Sequence, residues 1–372
     1  MLPSAFLHVQ APPRMKFPFA RLLFPTFLLV ATISSLPVPA RAADEIPADL
    51  KYRIIRRLPL EGETGWDYLL ASGEKRRLYI TRGTHVSVLD ADSGDVVGKV
   101  ADTPGVHGVA LAPALGRGFT SNGRDDTVTV FDLKTLAPIT TVKTGANPDA
   151  IIYEPTTRRV FVFNGRSKDA TVIDAERDTV AGGFPVGGKP EFAAVDGAGM
   201  VYLNVEDTNE VLAIDAKSMT VKSRWPLGPG TDPTGLAIDP KSRRLFVGCG
   251  NKQLVILNAD NGKIVTTLEI GAGVDAVEFD ALAGGIFTSN GVDGTLTIAR
   301  MDAPEKFRVV DTVPTQKGGR TMAFDPWTRH IFVVAAKYGP PPAATKEQPN
   351  PRPAILPGSV SLLELAPVAE VR

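Results

Sequence analysis

The sequence of 372 residues predicts an all-β chain folded as one seven-bladed β-propeller, a ring of seven four-stranded sheets. Three observations lead to this prediction. Glycine (35) and proline (31) are both abundant, which fits short strands joined by tight turns. A complete repeat contains four short runs rich in Val, Ile, Thr and Phe. The repeats recur at steps of 41, 41, 42, 43, 41 and 45 residues, beginning at Trp66, His107, Pro148, Pro190, Pro233, Val274 and Gly319.

The four strands of a repeat follow in a constant order. An apolar strand comes first, as in GVALAP, and a turn with basic residues leads to the second, as in RRVFVF. A polar hairpin then leads to a third strand that ends in Asp or Asn, as in TVTVFD, and a fourth strand ends at glycine. Four strands in about 42 residues is typical of a propeller blade. No helical periodicity competes with it.

One hairpin of the repeat is nearly duplicated. FTSNGRDD (residues 119–126) returns as FTSNGVDG (residues 287–294), four periods further along the chain. Asn-Gly between two strands predicts a type I′ turn, because both central residues of that turn need φ > 0. The duplication is therefore interpreted as structural.

The ring is predicted to close through its N-terminal strand. The last repeat has only three strands of its own and ends in GSVSLLELA, whereas residues 51–60 (KYRIIRRLPL) belong to no repeat. That segment has the length of the missing outer strand of blade seven, and its insertion would remove both free sheet edges. The propeller is accordingly assigned to residues 51–366, with a linker at 43–50 and a tail at 367–372.

Residues 1–42 have the pattern of a secretory signal peptide. An apolar stretch at 17–35 follows Lys16, and the small residues Ala40 and Ala42 form an A-x-A-like cleavage site. Either Met1 or Met15 is the start. The pattern predicts a periplasmic or secreted protein with no membrane span after cleavage; an uncleaved anchor is the alternative.

Charge and cysteine content exclude several classes of function. Four of the 41 basic residues and none of the 41 acidic residues lie in 1–42, which leaves a net charge of −4 for the remainder. This net negative charge is not typical of proteins that bind nucleic acid. Cys249 is the only cysteine, so neither a disulfide nor a thiolate metal cluster is expected, and the residue is interpreted as structural. A monomer is expected.

The repeat motif resembles that of the YVTN-repeat, YncE-like family of exported bacterial propellers. The segments DPKSRRLFVGCGN, EPTTRRVFVFNG and RDDTVTVFDLKTL carry the resemblance, which extends over residues 51–366. It implies the fold and export. Proteins of this architecture include ligand-binding surface proteins, lactonases and subunits of periplasmic quinone- or haem-linked enzymes, so the resemblance does not choose an activity.

The first candidate site residues lie at the start of the inner strands, on the face where seven blades deliver loops to one funnel. Four blades place an acidic residue there and one places a cation: Asp67, Asp149, Glu191, Asp275 and Arg320. Converging carboxylates could hold a ligand or a hard cation. Alternatively, each Asp bonds its own loop as an Asx-turn. No metal site is assigned.

A second set lies at the end of the second strand and in the hairpin after it. Its candidates for ligand binding are Arg82, Asn122, Arg124, Asn164, Arg166 and Asn290. Blades two and three have Arg124, Arg166 and Lys168 in this hairpin, whereas blade four has Glu206 and Asp207. Such a funnel would suit an anionic or sugar-like ligand held by Arg and amide groups. The alternative is that these are solvated turn charges.

Among the histidines of the propeller, His107 in PGVHGVA is the candidate general acid or base, because it begins an inner strand. A structural role is the alternative. His85 and His330 lie elsewhere, and the three show no metal-binding spacing. Blade seven also has a Pro-rich insertion at 337–358, predicted to be a lid or a disordered tongue.

The predicted function is binding or scaffolding, with a small polar molecule or a protein partner at the funnel. One alternative is a hydrolase or lyase that acts on a lactone or sugar-like substrate with His107 as acid/base. A second alternative is an accessory subunit of a periplasmic redox enzyme. The sequence assigns no cofactor.

Overall fold

The computed structural model describes residues 50–62, 65–73, 75–345, 351 and 353–368. In this part of the chain, 28 strands form seven four-stranded antiparallel sheets. Each inner strand contacts the inner strand of the next blade, and the contact of the last with the first closes the ring. The predicted seven-bladed β-propeller is confirmed. The predicted signal peptide lies outside the described residues.

The first strand, β1 (Tyr52–Pro59), belongs to the last blade. Blade one comprises β2 (Leu69–Ser72), β3 (Arg77–Thr81), β4 (Val86–Asp90) and β5 (Val96–Val100). Blade two comprises β6 (Val106–Ala112), β7 (Arg117–Asn122), β8 (Thr127–Asp132) and β9 (Pro138–Lys143). Blade three comprises β10 (Pro148–Glu154), β11 (Arg159–Asn164), β12 (Asp169–Asp174) and β13 (Thr179–Pro185). Blade four comprises β14 (Pro190–Val195), β15 (Met200–Val205), β16 (Glu210–Asp215) and β17 (Thr220–Pro226).

Blade five comprises β18 (Pro233–Asp239), β19 (Arg244–Cys249), β20 (Gln253–Asn258) and β21 (Ile264–Glu269). Blade six comprises β22 (Val274–Asp280), β23 (Gly285–Asn290), β24 (Thr295–Ala303) and β25 (Lys306–Pro314). Blade seven comprises β26 (Met322–Asp325), β27 (His330–Ala335), β28 (Ser361–Pro367) and β1. Two 3-10 turns, Pro113–Leu115 and Glu206–Thr208, complete the described elements.

The ring closes as predicted. Strand β1 pairs antiparallel with β28, from Tyr52 opposite Pro367 to Pro59 opposite Ser361. The ring of Tyr52 meets that of Phe287 in blade six edge-on, with the centroids 5.1 Å apart. The N-terminal strand therefore supplies both a hydrogen-bonded edge and core contacts.

The hydrophobic core lies between neighbouring blades. Between blades three and four, for example, Phe161 and Phe163 pack with Val201, Leu203 and Leu212, all fully buried. Burial of one such side chain contributes roughly 1.5–3 kcal/mol. Because each sheet buries both faces against its neighbours, the stability of a blade depends on the ring.

The repeated FTSNG segment is a structural device, but the predicted turn type is wrong. Positive φ occurs at Asp126 and Gly294, the last positions of the two hairpins, and not at the Asn-Gly pair. Asn122 ends β7, and its buried amide donates to Thr127 (3.1 Å) and Thr129 (2.8 Å) of β8. The asparagine thus braces two strands of its own blade.

No helix in the described part of the chain is long and apolar enough to cross a membrane.

Candidate functional site

A bulge at the start of the inner strands positions the first set of candidate residues. In blades two to six the pairing of the first and second strands shifts just after the first residue of the inner strand. The residue directly after the first paired residue is not part of the regular hydrogen-bond pairing, as in a β-bulge. These residues are His107, Asp149, Glu191, Thr234 and Asp275, and all five line one funnel.

The second strand of the preceding blade donates hydrogen bonds to the start of several inner strands. The hydroxyl of Ser121 in blade two donates to the backbone carbonyl of Asp149 in blade three, and Ser289 donates likewise to Arg320. In blade four the amide of Asn204 donates to the carbonyl of Thr234 at 2.8 Å. The serine of each FTSNG segment therefore fixes the next blade's candidate site residue.

The funnel has a volume of about 730 Å³, which is within the range of small-molecule sites. It contains most of the predicted site residues, together with polar ones that the prediction did not assign. The predicted ones are Asp67, His107, Arg124, Asp149, Arg166, Glu191, Asp275 and Arg320, and the others include Asn147, Lys189, Glu206 and Thr234.

A chain of charged groups extends across the funnel wall from blade two to blade six. Nδ1 of His107 lies 2.6 Å from Oδ2 of Asp67, and the other oxygen of Asp67 accepts from Arg320 at 3.0 Å. Arg320 also donates to Asp275. Asp67 and Arg320 are 253 positions apart in sequence and become neighbours because the ring closes.

This arrangement favours a protonated His107. Burial alone would lower the pKa of His107, but the hydrogen bond to Asp67 and the charges of Asp149, Asp67 and Glu191 raise it overall. A glycine makes room for the ring: a Cβ on Gly123 would lie 2.6 Å from Nε2 of His107. The glycine of the Asn-Gly pair thus serves the site as well as the hairpin.

Two deeper carboxyl groups of the funnel have pKa values raised above the usual range of a carboxyl group. Burial raises the pKa of Asp149 to about 6 and, with the charge of Asp149 nearby, raises that of Glu191 to about 8. Lys189 contacts Glu191 at 2.6 Å and also pairs with Glu206. The blade-four side of the funnel is therefore a compact charge-paired group.

Three of these side chains could together hold a cation. Single ligand atoms of Asp67, His107 and Asp149 all lie within 4.8 Å of one another. However, Nδ1 of His107 is engaged by Asp67, and Asp67 also accepts from Arg320. A metal ion would have to replace this ion-pair network, so the geometry fits the network better than a metal centre.

The two rim arginines of blades two and three differ from the other cations of the funnel. Lys189 and Arg320 are paired with carboxylates. Within the described residues, the exposed guanidinium groups of Arg124 and Arg166 have neither a hydrogen bond nor an ion pair. They are charges at the mouth of the funnel that the fold does not use.

Four predicted ligand-binding residues lie outside the funnel lining. Asn122, Asn164 and Asn290 are fully buried, and the amide of each donates to hydroxyl groups of its own third strand. Arg82 is also buried, and it donates to the carbonyl of Gly65 at 3.1 Å. These contacts assign them to the hairpin framework rather than to a ligand.

The remaining chemical candidates are positioned away from a reactive site. Burial raises the pKa of Cys249 to about 12, which leaves no thiolate nucleophile at neutral pH. His330 pairs with Glu364 at 2.7 Å in blade seven. Tyr338 and Ile355 bridge the two ends of the 337–358 insertion, and none of its described residues lines the funnel.

A second cavity of about 440 Å³ lies along the same channel, separated from the funnel by an aromatic pair. Tyr68 of blade one and Phe192 of blade four stack with their centroids 4.8 Å apart, and both residues line both cavities. The two aromatic residues stand out in the sequence, because the other blades have smaller residues at the equivalent position, directly after the funnel-lining residue. These smaller residues are Gly108, Ala150, Gly235, Ala276 and Thr321. We refer to the second cavity as the lower chamber.

Comparison with known proteins supports the fold and leaves the family open. No family model and no curated protein matches the chain. Among solved structures, a chain of Kuenenia stuttgartiensis hydrazine synthase is similar with 17% identity and a TM-score of 0.65, covering 74% of this chain and 94% of that chain. A chain in a crystal structure of the mitotic checkpoint complex has 18% identity and a TM-score of 0.69, covering 94% and 99%. Likeness at such identities shows the propeller fold alone.

Proposed function

We propose that the chain is an exported binding protein whose funnel holds a small polar molecule carrying an anionic group. The single observation that carries the proposal is the pair of unpartnered rim arginines, Arg124 and Arg166. An arginine fork binds carboxylate and phosphate groups with two parallel hydrogen bonds. The corresponding position of blade six is Val292, so the cations belong to one side of the ring rather than to the repeat.

The deeper groups specify the rest of the ligand. Nε2 of His107, whose Nδ1 is paired with Asp67, adds a polar group next to these arginines in the lining, and Asp149 and Glu191 add carboxyl groups with raised pKa values. A molecule with one acidic group and several hydroxyl or amino groups could bind the arginines through the first and the carboxyl groups of the funnel through the others. Hydroxy acids, sugar acids and amino acids have this chemistry.

A screen of matched compounds tests the proposal. Calorimetric titration of the folded protein with sugar acids and hydroxy acids, each beside its neutral alcohol or amide, separates charge from shape. We expect the acids to bind and their neutral counterparts to bind at least about tenfold more weakly, since a lost charged hydrogen bond costs about 1.5–3 kcal/mol. Equal affinity of acids and neutral counterparts would overturn the proposal.

A second candidate function is acid–base catalysis by His107 on a lactone or sugar-like substrate. The observation that favours it is the 2.6 Å contact between His107 and Asp67, since a carboxylate at Nδ1 orients an imidazole and leaves Nε2 for proton transfer. Turnover of a lactone that disappears in His107→Gln, with binding of the matching acid retained, would establish it. Turnover equal in the two proteins would exclude His107 as the base.

Location and partners complete the proposal. Export rests on the signal-like residues 1–42, and cleavage in a periplasmic fraction tests it directly. A protein partner at the funnel face and a role as an accessory redox subunit remain alternative proposals. Co-purification of a second protein that is lost in an Arg124→Ala variant would favour the partner.

A further inference from the structure

The lower chamber contains one polar feature that the fold leaves unexplained. Its wall runs from the Tyr68–Phe192 pair to the ends of the inner strands at Ser72 and Pro113. Most of this wall is apolar, with Leu70, Ile152 and Met322 among its members. The only carboxyl group of the lining belongs to Glu278 in blade six, and its other polar residues, which carry hydroxyl groups, are Tyr68, Ser72, Tyr79 and Tyr153.

Glu278 differs from the equivalent residue in every other blade. The residue three positions after the funnel-lining residue of each inner strand is apolar in the other blades: Leu70, Ala110, Ile152, Ala194, Ala237 and Ala323. An alanine or leucine would fill the fold at this point, so a carboxyl group is not needed for packing. The sequence therefore marks Glu278 as the one acidic residue among these seven equivalent positions.

The carboxyl group also lacks a counter-ion. No lysine, arginine or histidine of the described chain lines the chamber. Burial raises the pKa of Glu278 to about 8. A carboxyl group in an apolar chamber without a cation is unfavourable in its charged form, and a bound cation would relieve that cost.

We propose that the lower chamber is a second binding site, specific for a small hydrophobic amine whose ammonium group pairs with Glu278. The stacked rings of Tyr68 and Phe192 separate the chamber from the funnel, so a ligand of the chamber is distinct from a ligand of the funnel. The apolar wall accommodates the hydrocarbon part. A metal ion is a poor match, because a hard cation needs several oxygen ligands and the chamber offers one carboxylate.

The volume limits the size of the ligand. About 440 Å³ is at the lower end of known small-molecule sites, which suits a single ring or a short chain. An acid would be repelled by Glu278, and an alcohol would lose the ionic contact. This site is independent of the proposed anion site in the funnel and would stand if that proposal failed.

Binding is expected to release a proton. The carboxyl group of Glu278 is mostly protonated at pH 7 and must ionise to pair with an ammonium group. Affinity for an amine should therefore rise with pH up to about 8, by up to about tenfold per pH unit. Calorimetry in two buffers of different ionisation enthalpy measures the released proton directly.

The test uses benzylamine, benzyl alcohol and benzoate with the folded chain. At pH 8 we expect benzylamine to bind with a Kd of about 1 mM or tighter and at least about tenfold better than the other two. Glu278→Gln should remove this preference. Ala110→Leu, which fills the chamber from another blade, should weaken binding of all three compounds.

A funnel variant supplies the matched control. The funnel also contains carboxyl groups, so Asp149→Asn distinguishes the two sites and should leave benzylamine binding unchanged. Three results would each overturn the proposal: no benzylamine binding at that affinity, equal binding by Glu278→Gln, or loss of binding in Asp149→Asn with retention in Glu278→Gln.

Discussion

The carboxylate of Asp67 joins His107 to Arg320, with Oδ2 at 2.6 Å from Nδ1 of the imidazole and Oδ1 at 3.0 Å from the guanidinium. These three residues come from blades one, two and seven. One acidic side chain therefore connects the two ends of the chain at the site. The charge of His107 depends directly on this contact.

Removal of Asp67 should lower the pKa of His107. In Asp67→Asn the carboxylate that stabilises the imidazolium is lost, whereas burial, which disfavours the charged ring, remains. NMR titration of the His107 ring should show a midpoint above 6.5 in the wild type and a lower one in the variant. His330, which pairs with Glu364 instead, is the internal control. An unchanged midpoint would show that Asp67 does not hold the charge.

A methyl group added at Gly123, next to the ring of His107, should disturb the site without unfolding the blade. In Gly123→Ala the new Cβ would lie 2.6 Å from Nε2 of His107 and 2.9 Å from Oδ1 of Asn147. We expect the ring to move and ligand affinity to fall by about tenfold. Gly65→Ala is the matched control, because it also lines the funnel and its Cβ meets no described atom within 4 Å. Equal affinities in the two variants would contradict the steric account.

The carboxyl group of Glu278 should make stability fall as pH rises. Its pKa is about 8 in the folded chain and about 4.3 when unfolded, so unfolding releases a proton between these values. The advantage of Glu278→Gln over the wild type, measured by urea unfolding, should therefore grow from pH 5 to pH 8. Glu269→Gln removes an exposed carboxyl group and serves as the control. A constant difference across this range would mean that Glu278 is solvated.

Ring closure should be measurable through one side chain of β1. Tyr52→Ala removes the ring that packs edge-on against Phe287 and should destabilise the fold by about 3–5 kcal/mol. Tyr52→Phe keeps this contact and should cost about 1 kcal/mol or less. Denaturant unfolding followed by tryptophan fluorescence gives both values. A small effect of Tyr52→Ala would show that β1 adds little to blade seven.

The sequence was sufficient to predict the architecture because the repeat period, strand pattern and closing segment are all local signals. It also predicted most of the funnel, since the starts of the inner strands converge in any propeller. The contact between Asp67 and Arg320 could not be derived, because it depends on how blades one and seven meet. The prediction of type I′ turns at the Asn-Gly pairs is wrong, because these residues have other roles in the structure. The amide of Asn122 donates to β8, and Gly123 leaves room for the ring of His107.

Removal of both rim arginines tests most directly whether the funnel binds an anionic group. Calorimetric titration of the strongest acidic ligand from the screen should be compared between the wild type and Arg124→Ala/Arg166→Ala, with Arg177→Ala, an exposed arginine paired with Asp174, as the control. The loss of two charge-assisted contacts predicts affinity lower by about 100-fold in the double variant and unchanged in the control. An unchanged affinity in the double variant would contradict the proposed anion site.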